Sequence, residues 1–338
     1  MRGGSEVRLR GSARMMMSRT PLRISFLGGG TDIREYYLKR GGAVVSAAID
    51  RYIHIIVNRK FDDNIRVSYS KTEIVDSVEK LAHPLVREAL KLLDIRKGIE
   101  IVSISDIPSE GTGLGSSSSF TVGLLNALHA WLGEHTPAKQ LAEEACRIER
   151  DIVRDPGGMQ DQYIAAFGGL RMFEFRTDGD IHAHHVLMND GGKRALDDSL
   201  MLYYTGITRS SSSILNSQIG DITGKMEYYD RMREMAYRCA ELLEKSDIGG
   251  VGRLLDEGWA VKKSLSNGIS NDRIDRIYER ARKAGAYGGK ITGAGGGGFL
   301  LLLADPARKE AVANALVDLK RENISIDAMG SRIVYVGD

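Results

Sequence analysis

Two cysteines in 338 residues, Cys146 and Cys239, are too few for a disulfide framework or a four-cysteine zinc site. Both lie in stretches spaced like amphipathic helices, and a reducing cytoplasm fits that usage. Net charge is nearly absent too: 47 basic and 45 acidic residues leave +2. No broad field therefore favours nucleic acid or an anionic membrane, and any basic site has to be local. No apolar run approaches the roughly 20 residues of a membrane span. The basic N-terminus has no apolar core of the kind a signal peptide needs. Residues 1–18 read as a disordered leader or upstream extension, with Met15-Met16-Met17 as a candidate start. Sequence repeats are missing, and nothing in the sequence decides between monomer and oligomer.

What is present is enough apolar material for a sizeable core: 42% hydrophobic residues beside 27% charged ones describe a soluble globular protein. The length suggests two domains. Glycine is abundant, with 39 residues, and it is clustered at 28–30, 111–115, 157–158, 168–169 and 288–298. The cluster that organises the others follows an apolar run ending at Ile107-Pro108. There Gly111, Gly113 and Gly115 alternate, four serines follow, and a helix-like apolar spacing begins. Strand, glycine loop and helix start together make a phosphate cradle, because glycines admit positive φ and a helix N-terminus presents free N–H donors. Taken alone, the loop equally fits a glycine turn followed by serine caps.

Along the chain, residues 22–27 alternate into Gly28-Gly-Gly-Thr-Asp32, and strands are predicted over 43–49, 52–57, 65–69 and 99–104. Helical spacing covers 81–93, 119–132 and 139–153. Glu149 stands near the end of the last, where the dipole disfavours an acid. A strand over 170–175 precedes His182, His184 and His185, for which alternation on an exposed strand is a better account than a metal site. The pattern changes at Gly191-Gly192, which puts a domain boundary between 190 and 198. Beyond it come a strand at 200–205, helices over 224–245, 248–265 and 271–285, a buried strand at 299–304, a helix over 306–321 and closing strands over 324–336. This mixture indicates an α+β fold.

Three glycine-rich elements, each attached to an apolar strand, resemble the signature of the GHMP kinase superfamily. They are Arg19-Thr-Pro-Leu-Arg-Ile-Ser-Phe-Leu-Gly-Gly-Gly-Thr-Asp32, Pro108-Ser-Glu-Gly-Thr-Gly-Leu-Gly-Ser-Ser-Ser-Ser119 and Lys290-Ile-Thr-Gly-Ala-Gly-Gly-Gly-Gly-Phe299. The first, with Gly157-Gly-Met-Gln-Asp-Gln-Tyr163, is most similar to kinases acting on the anomeric hydroxyl of D-glycero-D-manno-heptose 7-phosphate. Galactokinases carry a Glu-His pair where this chain has Gly29-Gly30, which argues against galactose.

The resemblance implies a ribosomal protein S5 domain 2-like N-terminal domain over 19–192 and a ferredoxin-like C-terminal domain over 193–338, with ATP and Mg²⁺ bound between them. It implies Asp161 as the catalytic aspartate with Arg23 beside it, and Ser117 and Glu149 as magnesium ligands. Pro108, Glu110, Gly111, Thr112, Gly113, Leu114, Gly115, Ser116, Ser117 and Ser118 would hold the nucleotide. Gly28, Gly29, Gly30, Thr31 and Asp32 would meet the sugar, helped by Gly295 and Gly296. A phosphorylated acceptor also needs a second anion site. Thr208 and Arg209, at the start of a helix, are the best candidates, with an ordinary capped helix and surface arginine as the alternative.

The expected partners are a small sugar phosphate and ATP, with neither nucleic acid nor membrane. An anomeric kinase for fucose or a uronic acid is the nearest rival. A non-catalytic sensor on the same fold would be expected to have lost part of the set Arg23, Ser117, Glu149 and Asp161, and all four are present. A dinucleotide-binding dehydrogenase is disfavoured because 111–119 does not follow the Gly-x-Gly-x-x-Gly spacing.

Overall fold

Two sheets carry the fold, and the long central strands of the first are buried on both faces over much of their length. The computed structural model describes residues 15–108, 111–208 and 211–337. Its first sheet comprises β1 (Met15–Leu27), β2 (Gly42–Arg59), β3 (Ile65–Ser68), β4 (Thr72–Val75), β5 (Ile99–Ser105), β6 (Leu170–Phe175), β7 (Ile181–His185) and one strand from the far end of the chain. The second comprises β8 (Leu200–Tyr204), β9 (Ala286–Ile291), β10 (Phe299–Ala304) and β11 (Lys320–Glu322), and the distant strand that joins the first sheet is β12 (Arg332–Gly337). The first sheet runs β12-β1-β2-β5-β3-β4, with β6 on the leading half of β2 and β7 outside β6.

β2 is a single strand of 18 residues where two were expected. Asp50 and Arg51 do not break it, because Asp50 exchanges hydrogen bonds with Ser325 and Arg51 pairs with Glu322. The second sheet, in the order β11-β8-β10-β9, is antiparallel throughout. With helices after its first and third strands, it has the ferredoxin-like arrangement. Its strand β10, Phe-Leu-Leu-Leu-Leu-Ala, is buried along its whole length, as a run without polar residues requires.

Eleven α-helices cover these sheets among the described residues: α1 (Arg34–Arg40), α2 (Pro84–Leu92), α3 (Ser116–Trp131), α4 (Ala138–Cys146), α5 (Gln160–Phe167), α6 (Asp190–Ser199), α7 (Ser211–Gly220), α8 (Met226–Glu244), α9 (Ile248–Lys263), α10 (Asp272–Ala284) and α11 (Lys309–Ala315). α3 lies against β1 and β2, and its Leu124, Leu125 and Leu128 are wholly buried. At full burial such side chains contribute ~1.5–3 kcal/mol each. α8 packs on β1 and β2 as well as on α9, and so joins the two halves. No helix among the described residues is long and apolar enough to cross a membrane.

Four expectations need correction. β1 begins at Met15, so the leader expected over 1–18 overlaps a strand. Met16 and Ser18 point inward there, and residues 1–14 lie outside the described set. The boundary expected at 190–198 is a helix, α6, whose Gly191-Gly192 opens its first turn while Asn189 accepts a hydrogen bond from Gly192 N at 2.7 Å. The helix predicted over 306–321 is α11 followed by β11, because Lys320–Glu322 pairs with β8. The second half does not stay together either: β12 pairs antiparallel with Met15–Arg19 and belongs to the first sheet.

Candidate active site

β1 carries Arg23 and Ser25 on one face, two residues apart as alternation requires. Both line a cleft whose walls come from both sheets. Arg23 Nε donates to Asp161 Oδ1 at 2.7 Å and Nη2 to Oδ2 at 2.6 Å, a bidentate pair with Arg23 buried and Asp161 21% exposed. Asp161 stands in the first turn of α5, where a helix N-terminus favours an acid. The remaining arm of the guanidinium, Nη1, donates to Gly113 O at 2.6 Å. One side chain thus ties the aspartate to the second glycine loop.

That loop is held from behind by the third. Phe299 N and Thr292 Oγ1 both donate to Thr112 O, and Leu114 O accepts from Arg23 N at 3.0 Å. Gly113 has φ +72°, and a Cβ there would lie 2.5 Å from Thr292 O, so only glycine fits. α3 starts at Ser116, three residues earlier than expected, behind Gly115, which offers no side-chain cap. Among the described residues, the first N–H groups of the helix therefore face the loop without a side-chain cap, an arrangement suited to phosphate. Ser117 is exposed on this turn, Ser116 and Ser118 are buried, and Pro108 is exposed at the loop's start. Glu110 and Arg209 lie outside the described residues.

Glu149 is buried at 1% exposure. The helix α4 passes into a π-helical turn, Arg147–Ile152, and Glu149 sits in it instead of at a plain α-helix end. Ser118 Oγ donates to Glu149 Oε2 at 2.9 Å and Gln162 Nε2 to the same atom at 2.8 Å. Burial pushes the carboxyl of Glu149 up from its ordinary value, against the pull of Arg150 and of its hydrogen bonds. Its Oε1 and the Oε1 of Gln162 are both buried without a partner among the described residues. Two orphaned oxygens beside a phosphate loop are a donor set that fits a hard divalent cation.

The cleft is further lined by Gly29, Gly30, Asp32, Ile33, Arg150, Gly157, Gly158 and Gln160 from the first half of the chain and by Leu215, Gln218, Lys262, Lys290, Gly293 and Ala294 from the second. Asp32 is buried and its oxygens accept from Gly30 N at 2.8 Å and Gln160 N at 3.0 Å. A Cβ on Gly158 would fall 1.8 Å from Asp32 Oδ2, which explains the glycine there. Burial raises the carboxyl of Asp32, with these N–H bonds opposing. Thr31, expected to bind sugar, faces away: its hydroxyl donates to Ala43 O at 2.9 Å and accepts from Ala43 N at 3.0 Å. Gly28 turns the chain against Ala43 and is not on the cleft wall. Gly296 N donates to Ile269 O at 2.7 Å and Gly295 packs on Ile269, so Gly293 and Ala294, not these two, reach the cleft. Thr208 is exposed outside it.

Sequence reasoning missed Lys262, on α9, and did not single out Lys290, the first residue of the third motif. Both are buried. A lysine whose helical position faces inward carries that signal only once the packing partner is known. His182 and His184 lie on one face of β7 and, with Glu174 opposite on β6, bring their ligand atoms within 4.8 Å of one another. None of the three lines the cleft.

A family model described as the GHMP kinases N terminal domain matches residues 77–169, and one described as GHMP kinases C terminal matches 239–320. A D-glycero-alpha-D-manno-heptose 7-phosphate kinase of Campylobacter jejuni is 32% identical over 316 residues, covering 88% of this chain and 92% of that one. An L-fucokinase/L-fucose-1-P guanylyltransferase of Bacteroides fragilis is 26% identical over 91% of this chain but 36% of its own length. The crystal structure of a D-glycero-D-manno-heptose 1-phosphate kinase from Bacteroides thetaiotaomicron is similar with a TM-score of 0.81 and 26% identity, covering 96% of this chain and all of that one. With family models matched in both halves and a 32% identical relative aligned across most of both chains, this chain belongs to the GHMP kinases, phosphotransferases that use ATP and an alcohol acceptor.

Proposed function

We propose that the protein transfers the γ-phosphoryl group of ATP to the anomeric hydroxyl of D-glycero-D-manno-heptose 7-phosphate, giving ADP and the 1,7-bisphosphate. The reaction would serve nucleotide-activated heptose synthesis in the cytoplasm. The observation that carries the chemistry is the bidentate Arg23–Asp161 pair joined through Arg23 Nη1 to Gly113 O of the phosphate loop. The acceptor class rests on the Campylobacter jejuni relative named for it.

The donor phosphates lie on the backbone N–H groups of Gly111 to Ser118. Asp161, held in one orientation by both Arg23 nitrogens, keeps an outward lone pair for the proton of the attacking hydroxyl. The sugar oxygen then forms its bond to the γ-phosphorus as the bond to the β-bridging oxygen breaks, and ADP leaves with that electron pair. Arg23 meets the charge that accumulates on the transferring group. Magnesium, when bound, neutralises the β- and γ-phosphates; Glu149 and Ser117 would hold it, with Ser118 and Gln162 orienting the carboxylate.

Steady-state turnover measured on a panel of phosphorylated and non-phosphorylated sugars tests the assignment. The heptose 7-phosphate should give the highest kcat/KM. Equal or better turnover of fucose, a uronic acid or an unphosphorylated heptose overturns it.

A further inference from the structure

We propose that Lys290, Lys262 and Ser25 form the subsite for a phosphate monoester carried by the acceptor itself, in the same cleft as Asp161. The inference rests on the phosphorylated-sugar reading above and moves the second anion site away from Thr208 and Arg209. Lys290 is 5% exposed and its Nζ donates to Phe26 O at 3.0 Å. Lys262 is 6% exposed and donates to Gly293 O. Each ammonium has three N–H groups, so both keep donors beyond these bonds, and both line the cleft. Among the described residues neither lysine is in an ion pair with a carboxylate. The nearby acids are already engaged: Asp161 by Arg23, and Asp32 by two backbone N–H groups. Ser25 adds a buried hydroxyl with no partner among the described residues, also on the cleft wall.

A buried ammonium without a counter-charge opposes folding, and proteins retain one where a ligand supplies the charge. Burial accordingly pushes Lys262 down to about 8 and Lys290 well below its ordinary value. Of the cations on the cleft lining, Arg23 is paired with Asp161 and Arg150 lies against Glu149 and Asp155, which leaves the two lysines as the ones without a carboxylate partner among the described residues. A phosphate group supplies the anion they lack. Placement agrees as well. Phe26, which anchors Lys290, lies three residues beyond Arg23 on β1, or roughly 10 Å at the rise of an extended strand. That is about the reach of a pyranose ring with a two-carbon phosphorylated arm, so the anomeric hydroxyl can sit at Asp161 while the phosphate sits at Lys290.

The test compares kcat/KM for heptose 7-phosphate and for the unphosphorylated heptose in wild type, Lys290→Met, Lys290→Arg, Lys262→Met and Ser25→Ala. Loss of one charged hydrogen-bonding partner should cut the preference for the phosphorylated sugar about 100-fold in Lys290→Met, expressed in acceptor KM and not in ATP KM. Lys290→Arg should recover part of it. Lys290→Met should also melt at a higher temperature than wild type, since a buried unpaired charge is removed. Wild-type preference retained by all the variants, or a loss confined to ATP KM, overturns the subsite and leaves the substrate assignment standing. A wild type that shows no preference for the phosphorylated sugar overturns both.

Discussion

Replacing Asp161 with Asn is the most direct test of the catalytic geometry. The carboxylate accepts two charge-assisted bonds at 2.7 and 2.6 Å from a guanidinium that is only 5% exposed. The amide can accept one of them, but it turns an N–H₂ group toward the other arginine nitrogen. Losing one such bond costs ~1.5–3 kcal/mol, and partial exposure of Asp161 keeps the loss near the lower figure. A melting temperature lower by a few degrees is therefore expected. The catalytic loss is larger: removing the group that takes the hydroxyl proton should lower kcat about 10²- to 10⁴-fold, equivalent to ~3–5 kcal/mol of barrier.

ATP affinity should survive in Asp161→Asn, because Arg23 Nη1 still holds Gly113 O. Arg23→Gln should raise ATP KM as well, because it releases that loop. Steady-state kinetics and thermal melts of the two single variants and the double variant complete the assay. The double variant should fall well short of additivity. Coupling below ~0.5 kcal/mol, the spread expected of independent sites, would refute the idea that the pair acts as a unit. So would Asp161→Asn retaining more than a tenth of wild-type kcat.

Gly113→Ala should place a methyl 2.5 Å from Thr292 O at a backbone φ of +72°, costing at least ~1–2 kcal/mol and raising ATP KM; unchanged melting and KM would contradict the loop packing. Thr31→Val should destabilise by ~2–4 kcal/mol in a urea titration, because Ala43 N and O both lose a buried partner. A normal melt with a raised sugar KM would instead return Thr31 to the sugar. The raised carboxyl of Glu149 makes its charged form unfavourable in the folded state. Stability from this group is therefore present at low pH and lost as pH rises through its folded value. Added Mg²⁺ should raise the neutral-pH melting temperature of wild type, and that increment should vanish in Glu149→Gln.

Burial, with Arg23 nearby, pushes Lys262 down to about 8. For a base pushed down, the folding penalty is complete below that value and is relieved as pH rises toward the ordinary lysine range. Binding of a phosphorylated sugar needs the proton, so acceptor KM should climb above pH 8 in wild type and lose that rise in Lys262→Met.

The parts of the site legible in the sequence are those that one short stretch of chain supplies. Three glycine loops, the aspartate after Gly157-Gly158 and the arginine of β1 each carry a local pattern, and the structure brings Arg23, Asp161 and Gly113 into contact. What was not legible depends on where side chains go after packing. Thr31 stands among glycines like a sugar ligand, yet its short side chain bridges to β2. Ser118, not its exposed neighbour Ser117, reaches Glu149, because one step along a helix turns a side chain by about 100°. Glu149 looked misplaced at a helix end until the π-helical turn carried it inward. The pattern change at Gly191-Gly192 hid a helix, because a cap at Asn189 and tertiary packing outweigh the penalty that glycine carries in a helix.

The pairing of β12 with Met15–Arg19 has a consequence for how the protein is made. On the ribosome, the strand that bears Arg23 emerges more than 300 residues before its outer edge partner. Until translation has passed residue 337, the first five residues of β1 present unpaired amides and carbonyls on one side, an open template for a neighbouring nascent chain. Closure spans more than 300 residues, so this final strand docking is a slow, non-local event. Chaperone dependence and aggregation during overexpression should track that step, and chains stalled before residue 332 should be the ones that co-precipitate.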